Sequence, residues 1–179
     1  MLSEPLLLDR VESSQLFDFL YHFFERDFIH DKTYLANKIY INPRSWRKDE
    51  GKEQDFWHLT TRKDVKIVWE NNRRIKKRER YPDYKRAKRL EWVKQILTNH
   101  DHQKVKLFFH QESNDKKDIR LYLWAYEQDF VVILQKLGKS ESFLVTSFYI
   151  DYGNKRQTFE QRYQNYTNNV NNLLSVKWF

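Results

Sequence analysis

Four stretches decide the fold of this chain: KVKLFFH (104–110), DIRLYLWAYE (118–127), FVVILQKL (130–137) and FLVTSFYID (143–151). In the first, Val105, Leu107 and Phe109 fall on one face of an extended chain, while Lys106 and His110 fall on the other. In the second, Ile119, Leu121, Leu123 and Ala125 alternate with Arg120, Tyr122, Trp124 and Tyr126. The third is a continuous apolar run, the pattern of a central strand covered on both faces. The polar connections QESNDKK (111–117), Glu127-Gln128-Asp129 and the segment from Gly138 supply the turns. Period-two patterning with β-branched and aromatic enrichment predicts a four-stranded antiparallel meander.

Around this sheet the chain reads as mostly helical. Residues 12–27 (ESSQLFDFLYHFFERD) predict a helix capped by Ser13 or Ser14, with a broad apolar face that includes Phe17, Phe19, Phe23 and Phe24. TYLANKIYIN (33–42) predicts a short helical turn and then a strand at 38–41, ended by Pro43. KDVKIVWENN (63–72) reads as a short helix or an irregular apolar turn. Asp83, after Pro82, is placed to cap a helix running to about Leu97. A C-terminal helix follows Gly153-Asn154 and carries Phe159, Tyr163 and Tyr166. The expected fold class is therefore α+β: N-terminal helices packed on a four-stranded antiparallel sheet, with a C-terminal helix. The length of 179 residues suits a single domain spanning 1–179.

Composition excludes several classes. Three Gly and three Pro argue against a disordered chain, and the absence of Cys removes disulfides, thiolate nucleophiles and thiolate metal sites. The six histidines form no ligand set at metal-binding spacing, so neither a metal nor another cofactor is expected. No apolar run is long enough to span a membrane and the N-terminus lacks the pattern of a signal peptide, which predicts a cytoplasmic protein without membrane contact. The net charge of +8 is concentrated. Ten basic residues between Arg73 and Arg89 stand against Glu79 and Asp83, so the remainder of the chain is neutral overall. Such a stripe, interleaved with Tyr81, Tyr84 and Trp92, is the footprint of a phosphate-rich partner; its bland counterpart is a solvated helix face. The predicted RNA-binding residues are Arg73, Arg74, Lys76, Lys77, Arg78, Arg80, Lys85, Lys88, Lys106 and His110.

One His, several Arg and Lys, and hydroxyls on the last strand suffice for RNA cleavage without a metal. That chemistry needs a base for the 2′-OH, an acid for the leaving 5′-oxygen, and donors around the phosphorane oxygens. His58 titrates near neutrality and can serve as either proton-transfer group. Arg86 and Arg89 are candidates for a phosphate clamp. Thr146, Ser147 and Tyr149 are candidate hydroxyl donors, with Lys106 and His110 in reserve. Against this, His58 between Trp57 and Leu59 is equally readable as a half-buried histidine bonded to a backbone carbonyl, and Thr146 and Ser147 as small strand residues.

DFWHLTTR (55–62), RAKRLEWVKQIL (86–97), RLYLWAYEQDFVVIL (120–134) and FLVTSFYIDYGNKRQTFEQRY (143–163) together resemble the phage- and mobile-element-linked nucleases of the BECR superfamily, which groups barnase, EndoU, RelE and the RNase colicins. The resemblance covers residues 33–167, leaving 1–32 as a helical extension and 168–179 as a tail. An aromatic–x–His–Leu–Thr–Gly-like element matches Phe56-Trp57-His58-Leu59-Thr60, with Thr61 where glycine is usual. The resemblance implies a metal-independent endoribonuclease on the open face of the sheet, in the setting of a toxin or phage-conflict effector. It implies RNA (tRNA or mRNA) and an antitoxin, immunity or host protein as partners. The competing expectations are a non-catalytic RNA-binding module of the same fold, and an interaction protein that docks through its Phe-rich N-terminal helix.

Overall fold

Along the chain, α1 (Leu16–Phe24) runs into a π-helical turn (Glu25–His30), followed by two short strands, β1 (Tyr34–Leu35) and β2 (Ile39–Ile41). A small hairpin, β3 (Lys48–Asp49) and β4 (Lys52–Glu53), leads into α2 (Gln54–Thr60). Two ten-residue strands come next, β5 (Thr61–Glu70) and β6 (Arg73–Pro82), and then α3 (Tyr84–Ala87) and α4 (Leu90–Thr98). β7 (Val105–Gln111), β8 (Ile119–Ala125), β9 (Phe130–Lys136) and β10 (Glu141–Tyr149) precede α5 (Gly153–Thr167). The structure is a computed structural model that describes residues 1–179, apart from the side chain of Arg78.

The expected four-stranded antiparallel sheet is corrected to a six-stranded mixed sheet in the order β1-β2-β10-β9-β8-β7. Strands β7 to β10 form the meander, but β2 adds in parallel to the start of β10, Tyr40 opposite Glu141 and Ile41 opposite Ser142. The backbone N–H groups of Tyr40 and Asn42 donate to the carbonyls of Ser140 and Ser142 at 2.9 and 2.8 Å. Ladder groups at the start of β10 thereby find partners, as buried backbone requires. β1 replaces the helical turn expected at 33–37. Two further two-stranded sheets, β3–β4 and β5–β6, stand apart.

Alternation along the meander sends side chains into two cores. Leu121, Leu123, Phe130, Val132 and Leu134 meet α1, α2 and α4 on one face, and Phe108, Tyr122, Trp124, Val131 and Ile133 meet Phe159 of α5 on the other. Burial of each such side chain stabilises the fold by roughly 1.5–3 kcal/mol. The N-terminal helix needs no side-chain cap from Ser13 or Ser14; it starts at Leu16, and Leu16, Leu20 and Phe24 are buried. Phe17 rests edge-on against Trp57 with ring centroids 5.0 Å apart, which leaves Phe19, 37% exposed, as the most open of the four phenylalanines.

The second correction concerns 63–72, which is neither helix nor irregular turn but the first strand of a long ribbon. Asn71 and Asn72 take φ of 50° and 57°, the two left-handed positions of a two-residue type I′ turn that asparagine tolerates. The helix expected from Asp83 is real but broken in two. Asp83 caps α3, accepting from the Arg86 N–H at 3.2 Å, and the chain restarts as α4 after Arg89.

Candidate functional site

α2 positions His58. Its first turn carries Asp55, whose buried carboxylate accepts from the guanidinium of the equally buried Arg44 (Nε to Oδ1, 3.1 Å), and Arg44 lies over Phe143 at 4.0 Å. The helix ends where Thr60 and Thr61 turn their hydroxyls back onto the carbonyls of Phe56 and Trp57, at 2.8 and 2.6 Å. Thr61 takes φ −129° and ψ 161°, extended backbone open to any residue, so nothing here requires glycine. Arg86 reaches in from α3. Its Nη1 donates to the carbonyls of His58 and Thr61 at 2.6 and 3.3 Å, a cation at a helix C-terminus.

The third contributor is β10. A bulge at Val145 shifts the register between Leu144, opposite Leu134, and Thr146, opposite Ile133. The extra residue moves Thr146 onto the α5-covered side of the sheet and sends Ser147, opposite Val132, into the main core. His58, Arg86 and Thr146 line one shallow pocket of about 220 Å³, together with Trp57, Thr61, Lys63 and Val145.

Other predicted residues lie elsewhere. Ser147 is buried and its hydroxyl has no partner among the described residues. Arg89 lies over the rings of Tyr149 and Trp92 at 4.6 and 5.0 Å and donates to the Lys85 carbonyl, while Lys85 pairs with Asp151 at 2.8 Å. The Lys88 carbonyl accepts from the Leu6 N–H at 2.7 Å, which ties the N-terminal segment to this region. Lys106 sits under α5, paired with Glu160 at 2.7 Å and facing the rings of Trp124, Tyr126 and Tyr163. His110 is half-buried against Tyr122, whose hydroxyl donates to Glu112. Arg120 meets Gln135 and Glu112. Arg73, Arg74, Lys76, Lys77 and Arg80 are on β6, at and near the ribbon; Arg78 holds the register position opposite Val65, and its side chain lies outside the described residues.

The pocket is electropositive. Burial lowers the His58 pKa, and the charges of Arg44, Lys63, Arg86 and Arg80 lower it further. The shift favours the neutral imidazole, the form that can accept a proton, and makes it a weaker base than a solvated histidine. Burial likewise lowers the Arg86 pKa, against the pull of Asp83. A phosphodiester entering the pocket would meet Lys63 and Arg86 as counter-charges, the Thr146 hydroxyl as donor and His58 as base. Sequence reasoning missed Lys63, Arg44 and Asp55. The alternation of Val65, Ile67 and Trp69 before Asn71-Asn72 was the signal that could have placed Lys63 on a strand rooted at the pocket. Among the described residues, no three His, Asp or Glu side chains gather at metal-binding spacing, and no helix is long and apolar enough to cross a membrane. No protein-family model matches the chain, and comparison with curated proteins and with solved structures likewise returns no match.

Proposed function

We propose that the protein is a metal-independent endoribonuclease of BECR type that cleaves RNA through attack of the substrate's own 2′-OH. One observation carries this reading: His58, Arg86 and Thr146, from three separate elements, converge with Lys63 in a single cationic pocket. In this scheme His58 Nδ1 or Nε2 takes the 2′-OH proton. The 2′-oxygen bonds to phosphorus as the bond to the 5′-oxygen breaks, a solvent water protonates the leaving 5′-oxygen, and the resulting hydroxide takes the proton from the His58 imidazolium, which restores the neutral base. Arg86 and Lys63 hold the phosphate, and the Thr146 hydroxyl donates to a non-bridging oxygen.

The test is incubation of RNA with the protein in EDTA, followed by analysis of the termini. Products ending in a 2′,3′-cyclic phosphate and a 5′-hydroxyl are expected, and RNA methylated at the cleaved 2′-oxygen stays intact. His58→Ala lowers the rate by roughly two to four orders of magnitude, the contribution of one positioned acid or base. Cleavage that disappears with EDTA, or a fully active His58→Ala protein, overturns the assignment. A second reading, an RNA-binding module without catalysis, is favoured by a specific observation. No hydrogen bond from another group orients the His58 imidazole among the described residues, whereas positioned bases are normally held by a third group.

A further inference from the structure

The β5–β6 ribbon has two chemically different faces. The register places Lys63, Val65, Ile67 and Trp69 of β5 opposite Arg80, Arg78, Lys76 and Arg74 of β6. That face contains basic and apolar residues and no acid. The other face sets Arg62, Asp64, Lys66, Val68 and Glu70 opposite Tyr81, Glu79, Lys77, Ile75 and Arg73. Its charges are largely matched: Lys66 pairs with Glu79 at 2.8 Å, Lys77 with Glu70, and Arg62 approaches Asp64 at 4.0 Å. The strands carry nine basic and three acidic residues, +6 of the chain's +8, and nearly all of that excess sits on the first face.

The cationic face is also where apolar side chains stand in water. Trp69 is 72% exposed, Val65 55% and Ile67 47%. At its root the same face runs into the pocket, because Lys63 lines it beside His58 and Arg86. Arg80, also at the root, is held by Asp49 and lies over Trp57 at 4.1 Å, which fixes the base of the ribbon to the body.

The geometry points to this face as a track for single-stranded RNA that leads a strand from Trp69 to the His58 pocket. The inference rests on the RNA reading of that pocket. From Trp69 to Lys63 the track is about 20 Å long at ~3.3 Å per residue. Bases stack on Trp69 and lie against Ile67 and Val65, while Arg74, Lys76 and Lys63 neutralise phosphates. Duplexes suit the face less well. A-form RNA closes its major groove to a ribbon, and reading B-DNA in the major groove needs polar forks along the centre of the face, where this one has Val65 and Ile67.

The experiment uses the 179-residue chain with His58→Ala and a fluorescently labelled, fully 2′-O-methylated single-stranded RNA, so that binding is read by anisotropy independently of cleavage. Two charge-matched pairs are compared, Arg74→Ser with Lys76→Ser on the cationic face, and Arg62→Ser with Lys66→Ser on the balanced face. The first pair is expected to weaken binding at least ~10-fold and to lower the salt slope by about 1.4, at ~0.7 per phosphate contact. The second pair is expected to change it less than ~3-fold. Trp69→Ala is expected to weaken binding roughly 5- to 150-fold through lost stacking. Equal losses in the two pairs, tighter binding of duplex DNA of the same sequence, or binding to vesicles of anionic lipid without binding to RNA would each overturn the track. Thermal melting of each variant near the parent's midpoint shows that the ribbon's loss of function is not unfolding. Intact binding with no cleavage by the His58 protein would remove the nuclease reading and leave the track standing.

Discussion

The meander β7–β10 and the ribbon β5–β6 are written in the same period-two alphabet and meet opposite fates. In the meander, alternate residues enter two cores, one against α1, α2 and α4 and the other against α5. In the ribbon, Val65, Ile67 and Trp69 alternate just as regularly and remain in water. Each forgoes part of the roughly 1.5–3 kcal/mol that full burial gives a large apolar side chain. A two-stranded ribbon alone is marginally stable, so this one depends on its anchored root, where Thr61 pairs with Pro82 and the Asp83 N–H donates to the Thr60 carbonyl at 2.9 Å. Burial explains the first set of strands. The second is the surface on which the proposed RNA track rests.

Ion pairs give the sharpest test of that contrast. Asp55→Ala strands the buried Arg44 guanidinium and is expected to destabilise the protein by about 3–5 kcal/mol in chemical denaturation. Glu79→Ala, which breaks the exposed pair with Lys66 on the ribbon, is expected to change stability by no more than ~1 kcal/mol. Comparable losses at the two sites would mean that the ribbon folds as part of the body.

Apolar truncations probe the same division with a smaller expected effect. Leu134→Ala, in the centre of β9, is expected to cost about 2–5 kcal/mol through lost transfer energy and a residual cavity. Ile67→Ala on the ribbon is expected to stay within ~0.5 kcal/mol, the range of surface substitutions. A large loss at Ile67 would show that its side chain packs against something in solution, a second copy of the chain being the simplest, and concentration-dependent sedimentation would detect it.

The pH dependence is the finest test. Because burial and four neighbouring cations lower the His58 pKa from 6.5, the acid limb of kcat/KM for RNA cleavage is expected below pH 6.5. The same shift links to stability. In the window between the lowered folded value and 6.5, the unfolded chain binds the proton that folded His58 refuses. The His58 contribution to stability is therefore complete above pH 6.5 and lost as pH falls through that window, and His58→Gln removes this loss. Asp55 works in the opposite direction. Burial, opposed by Arg44, pushes its carboxyl up to about 6, so its contribution to stability grows as pH falls from 6 toward the unfolded carboxylate value. Comparing denaturation of the parent and His58→Gln proteins across pH 5–7 separates the two groups. An acid limb at or above 6.5 would show that the imidazole is solvated rather than enclosed by cations.

Much of the scaffold was legible because side-chain periodicity is a local property of the backbone. Leu121, Leu123 and Ala125 announce their strand within seven residues, and Asp83 after Pro82 announces its helix start. The ribbon was less legible. Lys63, Val65, Ile67 and Trp69 alternate, but Val68 breaks the pattern, and Asn-Asn is a weaker turn signal than Asn-Gly. The addition of β2 to β10 joins residues about a hundred positions apart, and no local pattern records that choice.

The sequence by itself determined the strands of the meander, the helix on either side of them, the concentration of positive charge and the chemical candidates His58, Arg86, Arg89, Thr146, Ser147 and Tyr149. Only the tertiary structure decided which of those candidates meet. Thr146 lines the pocket, whereas Ser147 is lost to the core because a single extra residue at Val145 inverts the alternation of β10. Lys106 is taken by Glu160 because α5 folds across that part of the sheet. Arg74, Lys76, Arg78 and Arg80 of β6 share a face with Lys63, Val65, Ile67 and Trp69 because the Asn71-Asn72 turn sets the register between the two strands. The reason is common to all three. Covalent geometry sets the period of a strand from one residue to the next, whereas its phase against the rest of the protein is set by bulges, turns and the elements that pack on it.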